Sequence, residues 1–145
     1  MTVRLLSTQI PQYWEYIKYA LAQVERFGSD DESLGAYNRV FAALLNDKSQ
    51  CFVMNDEDGS PKALLISEIY EDQIRNIRSM HIRCLYAFKT VTNLEEWGNS
   101  FAVVRKIAEG LGCKRVTFQT SNARIVQIGK SVGFNEKSTN LELEI

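Results

Sequence analysis

Residues 87–134 read AFKTVTNLEEWGNSFAVVRKIAEGLGCKRVTFQTSNARIVQIGKSVGF. The run parses as a strand end, a turn, a long amphipathic helix, a short strand, a second helix and a Val-Gly-Phe exit. Trp97, Phe101, Val104, Ala108 and Leu111 recur at steps of four, three, four and three, the spacing of one buried helical face. Thr92, followed three residues later by Glu95, has the form of a capping box, and Gly112 is a natural C-terminal stop. RVTFQT (115–120) reads as a strand. Ser121 or Asn122 caps the last helix, which turns Ile125, Ile128 and Val132 inward and ends at Gly133. With Gly98 at its entrance, the first helix can hold a phosphorylated ligand at its N-terminus.

Working outward, MHIRCLYAF (80–88) is the strand that feeds this helix. Strict alternation puts His81, Arg83, Leu85 and Ala87 on one face and Ile82, Cys84, Tyr86 and Phe88 on the other. Before it, QCFVM (50–54) and KALLISEIY (62–70) are strands joined by NDEDGSP, a hairpin loop in which Gly59 supplies the permissive backbone. Two helices precede them. The first begins near Pro11, carries Trp14, Ile17, Leu21 and Val24 as its stripe, and stops at Gly28. The second follows Ser33 and buries Leu34, Tyr37, Phe41, Leu44 and Leu45. TVRLLS (2–7) is a weak first strand, and the tail KSTNLELEI (137–145) reads as a final one.

The chain has 145 residues, 45% of them hydrophobic and 24% charged, which predicts one soluble domain over residues 1–145 with a real core. Seventeen basic and 18 acidic residues leave a formal net charge of −1, which argues against a dedicated nucleic-acid binder. No apolar run approaches the ~20 residues of a membrane span, and the opening residues lack the apolar core of a signal peptide. Three separated cysteines suggest neither a disulfide framework nor a metal site. These features together predict a reducing, cytoplasmic setting or the interior of a particle assembled there.

The element order β-α-α-β-β-β-α-β-α-β, with a long helix after the fourth strand, resembles the GNAT superfamily of N-acetyltransferases. Two stretches carry the resemblance: Met80 to Leu111, and Asn122 to Phe134, which looks like the family's helix opened by Asn and closed by Gly-Phe. The resemblance implies an α/β (α+β) acyl-CoA N-acyltransferase fold, with a mixed, mostly antiparallel sheet and helices on both faces. It implies acetyl-CoA or CoA in a gap between the fourth and fifth strands, and a primary-amine acceptor. The pyrophosphate would meet backbone N–H groups around Trp97, Gly98, Asn99, Ser100 and Phe101, and Asn122 would reach the pantetheine region.

The chain departs from the family pattern at two places. With Gly98 on the first motif glycine, Glu95 stands where Gln or Arg belongs and Ser100 takes the second small position. Glu96 and Trp97 crowd the same loop, and two carboxylates repel a pyrophosphate. On the last helix, the position of the family's tyrosine acid falls on Gly129. Each candidate also has a plain structural reading. Glu95 and Glu96 favour the helix dipole, Gly98 is a tolerated helical glycine, and Asn122 is an N-cap. Glu68 is the candidate base and Tyr70 or Tyr86 the candidate acid, each equally suited to a solvent-facing strand. His81 can be read as a base or, in preference, as a half-exposed strand residue, and Cys84 as a buried, inert thiol. The aromatic set Tyr13, Trp14, Tyr16 and Tyr19 suits either a helix buried on two sides or a stacking surface.

Two functions follow. One is an acetyl-CoA-dependent N-acyltransferase of weak or unusual activity. The other is a non-catalytic module that binds a protein partner or assembles with itself. The second rests on Glu95, Ser100 and Gly129, and on a likeness to GNAT-like proteins of tailed phages, some of them virion components.

Overall fold

The computed structural model describes residues 1–91 and 93–145. A five-stranded sheet runs in the order β1 (Thr2–Arg4), β2 (Ser49–Asn55), β3 (Pro61–Asp72), β4 (Ile77–Ala87) and β5 (Cys113–Phe118). Neighbours are antiparallel until the last pair, β4 and β5, which is parallel. Helices α1 (Ile10–Glu25) and α2 (Asp30–Leu45) cover one face, where Ile17, Leu21 and Leu44 pack on Cys51, Val53, Leu64, Ile66 and Cys84. Helices α3 (Leu94–Gly110) and α4 (Ala123–Ser131) cover the other, where Trp97, Phe101, Val104 and Ile128 pack on Phe52, Leu65, Met80 and Ile82. The mixed, mostly antiparallel sheet with helices on both faces is thus as the sequence suggests.

Local departures from the sequence reading have local causes. The first strand ends at Arg4, because Ser7–Gln9 turns into a 3-10 segment that leads into α1. Helix α1 stops at Arg26, which takes a left-handed conformation (φ 51°), two residues before Gly28. Helix α2 starts earlier than expected: Ser29 caps it by accepting from the Glu32 amide at 3.1 Å, and Asp30, Asp31 and Glu32 fill the first turn, where the helix dipole favours acids. Leu34 is 60% exposed and Leu45 40%, so neither belongs to the buried face of α2, and Val24 near the end of α1 also faces solvent.

The Thr92–Glu95 capping box involves a residue outside those described; the N-cap of α3 is Asn93, whose Oδ1 accepts from the Glu95 amide at 2.8 Å. Asn122 caps α4, accepting from the amides of Arg124 and Ile125 at 3.0 and 3.3 Å. The expected final strand is not formed. Residues 135–145 carry no strand, and Leu141, Leu143 and Ile145 are exposed.

Candidate functional site

The alternation of β4 breaks at Arg83. Ile66 faces Cys84 and Ser67 faces Ile82, so Arg83 is an extra residue on β4, a β-bulge. Ile82 therefore belongs to the core under α3, and Cys84 to the core under α1 and α2. This corrects the single-face alternation read from the sequence, because a bulge inverts the pleat beyond it.

The parallel register between β4 and β5 ends at Ile82↔Phe118, one residue before the bulge. Strand β4 continues to Ala87, and among the described residues no strand pairs with its Arg83–Ala87 edge on that side. The backbone groups along that edge are left for another partner. Helices α3 and α4 both begin beyond the C-terminal ends of this parallel pair. In α/β sheets ligands collect beyond the carboxyl ends of the strands, near helix N-termini.

Next to the end of this pairing, five polar side chains share the face of α1 and α2. Met80 and Ile82 point under α3, so His81 between them points the other way. Its cross-strand partners in register are Glu68 on β3 and Thr117 on β5. His81 Nδ1 lies 2.8 Å from Thr117 Oγ1. Tyr70 donates its hydroxyl to Glu68 Oε2 at 2.6 Å, and the Tyr70 ring stands edge-on to the imidazole with centroids 5.8 Å apart. Arg83, on the bulge, donates to Glu25 at the end of α1 at 2.7 Å.

The electrostatics of this group favour a neutral imidazole. Partial burial lowers the pKa of His81, Glu68 works in the opposite direction, and Arg83 adds to the lowering. The hydrogen bond to Glu68 raises the pKa of Tyr70, and burial adds to it. A half-buried histidine that is neutral near pH 7 is suited to accept a proton. Sequence reading weighed a base role for His81 and preferred an ordinary half-exposed strand position. What it missed is the register that places Glu68, His81 and Thr117 in one row.

The other expected residues fall as follows. Trp97 and Phe101 point into the core under α3, and Trp97 Nε1 donates to the Val91 carbonyl at 3.2 Å. Gly98 lies in the second turn of α3 with open space where a Cβ would be, so close packing does not require a glycine there. Asn99 is exposed, and Ser100 hydrogen-bonds Thr2 on β1. Since α3 starts at Leu94, the amides of residues 98–101 lie within the helix; the Trp97 amide reaches the Asn93 carbonyl at 3.4 Å. The helix's first-turn amides are those of Leu94, Glu95 and Glu96. Glu96 does not stand as a lone carboxylate, because Lys62 Nζ on β3 lies 2.8 Å away.

Gly129 is buried, and a Cβ on it would meet Phe134 Cβ at 3.7 Å. Phe134 stands edge-on to Phe101, with centroids 5.4 Å apart. Burial pushes the Cys84 thiol up to about 12, which leaves it protonated and unreactive near neutral pH. The aromatic set on α1 divides. Trp14 packs on Phe41 of α2 (4.7 Å), whereas Tyr16 and Tyr19 stack on Phe88 and Tyr86 at the far end of β4 (5.5 and 5.8 Å) and stay 41% and 53% exposed.

No family model matches the sequence, and no curated protein matches it in sequence. Solved structures do match its shape. An aminoglycoside acetyltransferase from an uncultured soil metagenomic sample, in complex with sisomicin, superposes with a TM-score of 0.75 at 14% identity, covering 100% of this chain and 95% of that one. An aminoglycoside N-acetyltransferase in complex with CoA gives 0.73 at 14% identity, covering 100% and 93%. A variant of a Bacillus halodurans protein gives 0.72 at 16% identity, covering 100% and 99%. At these identities the likeness concerns the fold, and the fold of this chain is that of the GNAT-type N-acetyltransferases.

Proposed function

We propose that this protein is an acyl-CoA-dependent N-acyltransferase acting on a primary amine. The observation that carries the reading is the coincidence, at one point of the sheet, of the Arg83 bulge, the end of the β4–β5 register and the Glu68–His81–Thr117 row. The residues present fit a CoA thioester. The unpaired edge of β4 from Arg83 to Ala87 offers amides and carbonyls to the two amides of a pantetheine arm. The N-termini of α3 and α4 stand beyond the same crevice to receive phosphates. A bound acyl-CoA would supply an activated acyl group.

The chain's own residues handle the amine. His81 takes the proton that the amine loses as it becomes acylated, directly or through one water. Thr117 holds the imidazole at Nδ1, and the carboxylate of Glu68 stabilises the imidazolium that results. Tyr70 steadies Glu68. Glu25 and Glu68 give the acceptor side a negative charge, and Tyr16, Tyr19, Tyr86 and Phe88 give it aromatic faces. An amine that arrives as a cation suits both features. Glu68 thus serves the base, where the sequence reading made it the base. The paired Lys62 offsets the charge of Glu96 at the α3 entrance.

A spectrophotometric assay of CoA release, run with acetyl-CoA against a panel of primary amines and aminoglycosides, tests this reading. Turnover that depends on the amine supports it. Its absence across the panel, together with no binding of acetyl-CoA, rejects it. A second reading, a non-catalytic module on the same fold, is favoured by the α3 entrance, where Asn93 already satisfies the Glu95 amide and the Glu95 side chain lies exposed. It predicts a folded protein that binds neither CoA nor acetyl-CoA.

A further inference from the structure

The Arg83 guanidinium has two carboxylates within its reach. On the α1 side it holds Glu25 with a fork: Nε donates to Oε1 at 2.7 Å and Nη2 to Oε2 at 3.3 Å. On the sheet side stands Glu68. Its partner in register is His81, two residues before Arg83 on β4. Across an antiparallel pair such a diagonal spans ~7–8 Å, which a long side chain covers. Glu68 is already within the field of Arg83.

The two pairings have different consequences for the imidazole. Burial lowers the pKa of His81, Glu68 raises it and Arg83 lowers it. With Arg83 on Glu25, the Glu68 carboxylate keeps its charge beside His81 and accepts only from the Tyr70 hydroxyl among the described side chains. With Arg83 on Glu68, that charge would be cancelled and a cation would stand nearer the ring. The surroundings fix which pairing forms. Ile82 and Cys84, on either side of Arg83, are fully buried in the two cores, so the bulge backbone is held and only the side chain is free to turn. Glu25 is the last residue of α1, and the left-handed Arg26 ends the helix there. Phe27 then packs edge-on to Tyr37 of α2, with centroids 5.6 Å apart, which anchors the carboxylate's position.

We infer that Glu25 is a positioning residue for His81. By drawing Arg83 towards α1 it keeps the guanidinium off Glu68, and so leaves Glu68 free to support a proton on the imidazole. Glu25 acts on the ring only through Arg83. The inference gains its catalytic meaning from the reading of His81 as the base for acyl transfer, but its test needs no turnover.

The test is a proton NMR titration of the single histidine in the native chain, Glu25→Ala, Arg83→Gln and the double variant. Circular dichroism verifies that each is folded. In Glu25→Ala the ring should titrate at a lower pH than in the native chain, because Arg83 turns to Glu68. In Arg83→Gln it should titrate at a higher pH. The double variant should match Arg83→Gln, since without Arg83 the loss of Glu25 has nothing to act through. A titration in Glu25→Ala that is unchanged or raised overturns the inference, and so does a lowered titration that persists in the double variant. If the chain acylates no amine yet shows the expected pattern, the acyltransferase reading fails and the positioning of His81 by Glu25 stands.

Discussion

His81 Nδ1 lies 2.8 Å from Thr117 Oγ1, across the parallel strand pair and one step before that pair ends. The contact fixes the imidazole near the point where the β4–β5 pairing ends, the place proposed for the amine and the thioester to meet. His81→Gln is therefore expected to lower kcat/KM for acyl transfer by ~10²–10⁴-fold, the usual worth of a general base, while CoA affinity is retained. Thr117→Val should cost about fivefold, the equivalent of one hydrogen bond of ~1 kcal/mol. Steady-state kinetics paired with CoA titrations check both.

Protonating His81 should weaken the fold. Its pKa in the folded chain lies below the usual 6.5, chiefly through burial. Between the folded and unfolded values the unfolded chain binds more protons, so stability falls as the pH drops from about 6.5 towards the folded value. Urea midpoints measured from pH 7.5 to 5 should show this loss, and His81→Gln should flatten that part of the curve.

Glu68 opposes the depression of the His81 pKa. In Glu68→Gln the imidazole should titrate at a still lower pH, and the acidic limb of the activity profile should move with it. The chain has a single histidine, so one ring resonance in a proton NMR titration reports the shift directly. An unchanged titration would remove Glu68 from the account.

The entrance to α3 carries an ion pair with opposite implications for its two members. Lys62→Met leaves Glu96 uncompensated beside the proposed phosphate position and should weaken CoA binding on the order of tenfold. Glu96→Gln frees Lys62 for the phosphates and should tighten it. Calorimetric titrations of the two variants should therefore move in opposite directions.

The Trp97 side chain belongs to the core. It is 3% exposed, and its indole N–H is satisfied by the Val91 carbonyl. Trp97→Ala should cost ~3–5 kcal/mol of stability, the range for removing a buried aromatic, as read by denaturant unfolding. Asn122→Ala, which removes the cap of α4, should cost about 1 kcal/mol.

The elements that the sequence announces most clearly are those with their own punctuation. The α3 stripe from Trp97 to Ala108 stands where the periodicity places it, and the α4 frame from Asn122 to Gly133 where periodicity and cap place it. Elements without such marks shifted: Arg26 ended α1 in a conformation more often given to glycine, and the acidic run after Ser29 became a helical turn.

The polar row was harder to see. Glu68, His81 and Thr117 are far apart in the chain, and their meeting depends on the registers of β3, β4 and β5. Neither register nor the Arg83 bulge has a local sequence mark, because Arg83 looks like any alternating strand residue until its partners are known. The side chains of Glu68 and Tyr70 could be named from the sequence, but the imidazole they surround could not be chosen. The tail shows the reverse case. Its alternation is strand-like, yet it forms no strand, and Leu141 and Leu143 face solvent.

The most direct test of the account is a calorimetric titration of the full chain with acetyl-CoA, with CoA as the comparison. The account predicts saturable one-site binding of both, retained in His81→Gln and weakened in Lys62→Met. No heat and no thermal shift at millimolar ligand would contradict it, and would leave the unpaired edge of β4 without its proposed occupant.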